Sequence, residues 1–207
     1  MKERPILFKG EMVRAILDGR KTQTRRMVYP QPQETLQARP YWHVGGFRTA
    51  RGCTNPLRFK YGKAGDRLWV KETWKPHCEG EISPEFPLGT CVKYRADGKC
   101  IKPESWTNEQ GRWCESQEES KVWKPSIFMP RWASRITLEI VNVRVERLQA
   151  INDFDAFQEG AKSECGTVTG PACMSFIQGY KTLWESINGA DSWAKNPWVW
   201  VIEFKKL

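Results

Sequence analysis

The sequence predicts a mixed α+β fold: a small, curved, mixed β-barrel with helices packed outside and two long insertions. Three observations predict it. The stretch Arg135–Leu148 has the alternation of a strand, but its apolar phase flips. Ile136, Leu138 and Ile140 share one parity, and Val141, Val143 and Val145 share the other. A one-residue slip would turn the apolar set to the wrong face, so a β-bulge or sharp bend near Ile140–Asn142 is expected, as in small barrels. Pro171–Ile187 carries Cys173, Phe176, Ile177, Tyr180, Leu183, Trp184 and Ile187 at the spacing of one buried helix face. Trp198–Phe204 is an almost continuous apolar run, the pattern of a strand covered on both sides.

The remaining elements follow in chain order. Ile6–Phe8 is a short strand. Glu11–Asp18 is a helix striped by Met12, Ala15, Ile16 and Leu17, with Gly19 where a left-handed residue ends it. Lys21–Met27 is extended. Lys63–Arg67 is a turn into the strand Leu68–Trp74, with Leu68, Val70 and Glu72 on one face and Trp69, Lys71 and Thr73 on the other. Cys91–Arg95 is another strand. Asn152–Gly160 is a short helix, capped by Asn152 and with Asp153 and Asp155 in its first turn. Asn188-Gly189 ends the last helix. The stretches at about 29–64, rich in Pro, Gln and Gly, and at about 75–130, with the acidic run Glu115–Glu119, read as insertions. Residues 1–207 therefore read as a single domain.

A chain of 207 residues with 40% apolar content can bury a core, which excludes wholesale disorder. The net charge of +9 favours polyanionic partners. The 11 Trp read mainly as core, leaving one or two for stacking on bases. The seven Cys are odd in number, the start MKERPILFKG reads as no signal peptide, and no apolar run approaches membrane-spanning length. Reduced thiols in a cytoplasmic protein, with no membrane contact, are the expectation. No CxxC pair occurs and the only histidines are His43 and His77, so neither a metal site nor a cofactor is expected.

Chemistry concentrates in Gly19-Arg-Lys-Thr-Gln-Thr-Arg-Arg26, with four positive charges and two hydroxyls directly after a helix. Gly19 lets the chain turn, and that turn can bring Lys21 and Thr24 together where an ideal strand would not. Arg20, Arg25 and Arg26 can bind phosphate. A partly desolvated Lys can act as a base on a hydroxyl. A solvated basic strand end is the plain alternative.

This pattern resembles the signature of the ASCH superfamily, G-x-K-x-x-E-x-R. Gly65-Asp66-x-Leu68-x-Val70 is similar to that family's Gly-Asp turn, LQAINDFDAFQEG (Leu148–Gly160) to its short acidic helix, and Val201-Ile202-Glu203-Phe204 to its closing strand. The resemblance covers about half the chain. The two insertions fall outside the compact members, and the larger chain resembles phage and prophage ASCH proteins. The resemblance implies a PUA-like barrel and an RNA or modified-nucleoside partner. Thr24 stands where the general signature has Glu, which is similar to the small bacterial N4-acetylcytidine amidohydrolases. It implies Lys21, Thr24 and Glu159 as catalytic residues, with Glu164 and Glu72 as alternatives for the carboxylate. Thr24 would be nucleophile or water-orienting group, Lys21 its proton acceptor, and Glu159 a positioning or proton-shuttling group. A simple Lys21–Glu159 ion pair would instead raise the Lys pKa and blunt its basicity.

Arg20 and Arg26 are further ligand-binding candidates, as are Trp74 for base stacking and Arg131 and Arg135 for a shared cleft. The readings in contention are hydrolysis of an N4-acylated cytidine, non-catalytic RNA binding, ribonuclease action, and a phage accessory role through a protein partner. No His pair is placed to suggest the ribonuclease.

Overall fold

The computed structural model describes residues 1–31, 41–43, 46–48, 59–78, 90–101, 122–165 and 174–207. In chain order the strands are β1 (Glu3–Leu7), β2 (Gln23–Met27), β3 (Tyr41–His43), β4 (Gly46–Arg48), β5 (Arg67–Lys71), β6 (Trp74–Cys78), β7 (Thr90–Tyr94), β8 (Cys100–Ile101), β9 (Thr137–Arg147), β10 (Glu164–Cys165), β11 (Met174–Ser175) and β12 (Trp198–Lys206). The helices are α1 (Gly10–Leu17), α2 (Asp153–Gln158) and α3 (Phe176–Asn188). The fold is mixed α+β. The sheets seen among the described residues are open and do not close into a barrel.

The chain gathers into two compact units. The first comprises Met1–Asp18, Asp66–Glu139 and Lys206–Leu207, and the second Gly19–Gly65 and Ile140–Lys205.

In the first unit, β1 runs parallel to β5 with Ile6 opposite Val70. The start of β9 pairs antiparallel to β5, with Leu138 opposite Leu68. Strands β6, β7 and β8 form an antiparallel sheet. Helix α1 buries Val13, Ala15 and Ile16, and its Arg14 Nη1 donates to the Ala96 carbonyl at 2.7 Å. A core of Trp74, Val92, Tyr94, Met129 and Ala133 is flanked by Trp132.

In the second unit, β2 and β12 are antiparallel, with Arg25 opposite Val201. Every residue of Val199–Ile202 is buried, so β12 is covered on both sides as its apolar run predicts. Leu148, Ile151, Ala156, Tyr180, Trp184, Val199 and Val201 form the core between β12, α2 and α3. Phe157 and Phe176 join the two helices edge to face, 5.3 Å between centroids. The Asn152 side chain accepts from Asp155 N at 2.7 Å, so α2 begins where its cap predicts.

Several expectations are corrected. The predicted strand Leu68–Trp74 ends at Lys71, and a new strand starts at Trp74. Glu72, between them, is committed to Arg135 rather than to a sheet face. Helix α3 starts at Phe176, where the Ser175 hydroxyl accepts from Gln178 N, rather than at Pro171. Pro171 and Cys173 lie outside the described residues, as do the run Glu115–Glu119 and most of both insertions. At the phase flip, where a bulge or bend is expected near Ile140–Asn142, Thr137–Glu139 pair with β5, and from Ile140 onward the chain belongs to the second unit. Strand β9 is continuous through this point, and Val141 is exposed.

No helix among the described residues is long and apolar enough to cross a membrane. None of their His, Cys, Asp and Glu residues form a cluster that could hold a metal ion.

Candidate functional site

The second unit holds a buried ionic network, built where the chain leaves α1. Gly19 adopts φ +75°, the left-handed turn that ends the helix, and Thr22 N then donates to the Gln158 carbonyl at 2.9 Å. This docks the start of β2 beside the C-terminal end of α2. Strand alternation does the rest, placing Gln23 and Arg25 on one side of β2 and Thr24 and Arg26 on the other.

Lys21 lies wholly out of solvent. Its Nζ donates to Glu159 Oε2 at 2.9 Å and to the Glu159 carbonyl at 2.6 Å. The other carboxylate oxygen, Oε1, accepts from Arg25 Nη1 at 3.1 Å. Arg25 Nη2 reaches Asp155 Oδ2 at 2.9 Å and Glu146 Oε2 at 3.4 Å. Gln23 Nε2 donates to the Asp155 carbonyl at 2.8 Å. Asp155 and Glu159 are four residues apart, so a single face of α2 presents both carboxylates to β2. Arg144 extends the network outward to Glu146 and Glu203.

The electrostatics follow from burial. Desolvation pushes the Lys21 pKa below its ordinary value, and the nearby Glu159 carboxylate only partly opposes it. The pair expected to raise the Lys pKa is therefore outweighed. Burial also works against a charged Arg25, but Glu159 and Asp155 together keep its pKa raised. Tyr180, fully buried nearby, has its phenol pKa pushed well up, chiefly by burial and further by Glu159, and stays neutral.

The structure thus brings together two of the three residues singled out for catalysis. Of the candidate carboxylates, Glu159 meets Lys21 and Glu72 is bound to Arg135, while the side chain of Glu164 lies outside the described residues. Thr24 is buried, lies opposite Ile202 in the β2–β12 pair, and makes no hydrogen bond with Lys21. Arg26, on the same side as Thr24, lies opposite Trp200. Arg20 is half-buried.

The other candidates belong to the first unit. Trp74 is buried and packs edge to face on Trp132, at 5.7 Å, so it offers no free face for a base. Arg131 is exposed and pairs with Glu3 at 3.0 Å. The Arg135 side chain is nearly buried. Its guanidinium holds Glu72 with two bonds of 2.9 Å and Asp97 with bonds of 2.8 and 3.1 Å, and lies 3.9 Å above the Tyr94 ring. Burial raises the Glu72 pKa despite this contact.

Sequence reasoning missed the roles of Arg25, Asp155 and Glu146. The available signals were the parity Lys21, Gln23, Arg25 and the four-residue spacing of Asp155 and Glu159. Comparisons with protein-family models, with curated proteins and with solved structures gave no match to this chain.

Proposed function

We propose that this chain is a divergent ASCH-type, PUA-like protein of phage or prophage kind, working in the cytoplasm, that binds RNA or a modified nucleoside, and that its catalytic form is the hydrolysis of an N4-acylated cytidine. The observation that carries the reading is the meeting of Lys21 and Glu159, at 2.9 Å, out of solvent. A lysine whose basicity is lowered by burial, beside a carboxylate, is suited to general-base work. In this reading Thr24 Oγ attacks the acetyl carbonyl or orients a water for that attack. Lys21 takes up the proton, Glu159 steers it toward the amine, and the C–N bond breaks to release cytidine. Where Thr24 is the nucleophile, water then hydrolyses the acetyl-Thr24 ester to release acetate, and where Thr24 orients water, acetate leaves directly.

A second reading, a non-catalytic binding module, is favoured by a different observation. Arg25 and Lys21 both hold Glu159, the pattern of a structural ion network, while Thr24 lies in the β2–β12 pair opposite Ile202. The experiment is incubation with N4-acetylcytidine, followed by chromatography for cytidine and acetate. Wild type is compared with Lys21→Ala and Thr24→Val, each checked for folding by circular dichroism. Turnover in the wild type and its loss in both folded variants support the hydrolase. No turnover in the wild type, with RNA affinity that falls steeply as salt rises, leaves the binding module.

A further inference from the structure

A cavity of about 340 Å³ sits within the second unit at the end of β2, and the Lys21–Glu159 pair is not part of it. Its walls combine two cations, Arg26 and Lys60, with four rings, Tyr29, Phe59, Tyr61 and Trp200. We propose that this cavity is a binding site for an aromatic ring that carries a phosphate: a nucleotide, free or as one unit of an RNA chain. The choice of a nucleobase as the ring rests on the nucleic-acid reading above. The preference for an aromatic anion does not.

The rings form a connected series. Phe59 lies 4.7 Å from Trp200 and 5.6 Å from Tyr61, centroid to centroid. Trp200 is buried and fixed in β12, so it provides a rigid floor, while Tyr29 is largely exposed at the rim. A planar ligand ring extends such a series by stacking, with little conformational cost to the protein. The volume is at the small end of ligand sites and matches a single small ring system with its substituents.

The charges select the rest of the ligand. Arg26 is held opposite Trp200 by the β2–β12 register, and Lys60 Nζ lies 5.1 Å above the Tyr61 ring. Among the described residues, the lining carries the two cations and no carboxylate, a composition that favours an anion. A neutral nucleoside would satisfy the rings alone. Phe59, Lys60 and Tyr61 come from the first insertion, outside the part of the chain that carries the ASCH resemblance.

The test is isothermal titration of the full chain with 5′-AMP and 5′-UMP, the matching nucleosides, and a hexauridylate. Lys60→Gln and Tyr29→Ala are measured beside the wild type. Both alter exposed residues, and circular dichroism verifies their fold. Nucleotides are expected to bind about tenfold or more tightly than nucleosides, as a charge-assisted contact implies. Lys60→Gln should remove most of that difference, and Tyr29→Ala should weaken nucleotides and nucleosides alike. Hexauridylate binding with the same sensitivity assigns the site to an RNA chain. Binding of mononucleotides alone assigns it to free nucleotides. Equal affinity for nucleoside and nucleotide, binding indifferent to both variants, or no binding of any probe overturns the proposal. Nucleotide binding without N4-acetylcytidine turnover removes the hydrolase alone, and turnover without nucleotide binding removes this site alone.

Discussion

Lys21 and Glu159 stand 138 positions apart in the chain, yet one amine holds both the carboxylate and the carbonyl of the same residue. The side chain thereby locks the end of α2 to the start of β2, and its charge is compensated inside the protein.

Removing the carboxylate should therefore cost more than removing the amine. Glu159→Gln leaves Lys21 and Arg25 buried with a neutral partner, a loss of about 3–5 kcal/mol. Lys21→Met leaves Glu159 still bonded to Arg25 and should cost clearly less. Urea denaturation of both variants checks the order, and equal losses would contradict it.

The lowered pKa of Lys21 sets a pH dependence. The native amine gives up its proton at a lower pH than the unfolded one, whose ordinary value is 10.5. Between the two values the unfolded chain binds more protons, so stability rises with pH across that window and falls as pH drops through the native value. Comparing urea midpoints of wild type and Lys21→Met from neutral pH to 10 should show a rising difference in favour of wild type.

In the first unit, Arg135 joins two carboxylates at once and lies over Tyr94. An ammonium cannot span both acids in that planar fork. Arg135→Lys should destabilise by about 3 kcal/mol, close to the cost of breaking a buried pair outright. A loss under about 1 kcal/mol, typical of surface ion pairs, would show that the fork is dispensable.

Asn152→Ala removes the amide oxygen that caps the start of α2 by accepting from Asp155 N. A loss of about 1 kcal/mol in chemical denaturation is expected. Because α2 carries Asp155 and leads into Glu159, the variant should also weaken the Lys21 contact, read as faster amide hydrogen exchange at Thr22, whose N–H bonds to Gln158.

What could be read from the sequence was local. The Gly19 turn, the Asn152 cap and the two-sided burial of β12 each depend on a few neighbouring residues, and each stands where the pattern places it. What could not be read depended on distant partners. Nothing around Glu72 announces that it belongs to Arg135, 63 positions on, so the alternation of Leu68–Trp74 ran through a break. The flip at Ile140 signals a change of surroundings, but that it coincides with the boundary between the two units could not be read from alternation alone. Trp74 illustrates the limit of composition: a ring for a ligand and a ring for the core are the same residue, and here Trp132 covers it. Within the site, the motif pointed to Lys21, while the equal engagement of Arg25 by α2 needed the register of β2 against β12.

The register of β2 against β12 also sets a timetable for synthesis. Residues 23–27 are synthesised well before their sheet partners at 199–203. A nascent chain stalled before β12 has no sheet partner for β2. Completion of this sheet pair accordingly waits for the distant strand, and chains interrupted upstream of Trp198 should be open to proteases at the GRKTQTRR segment.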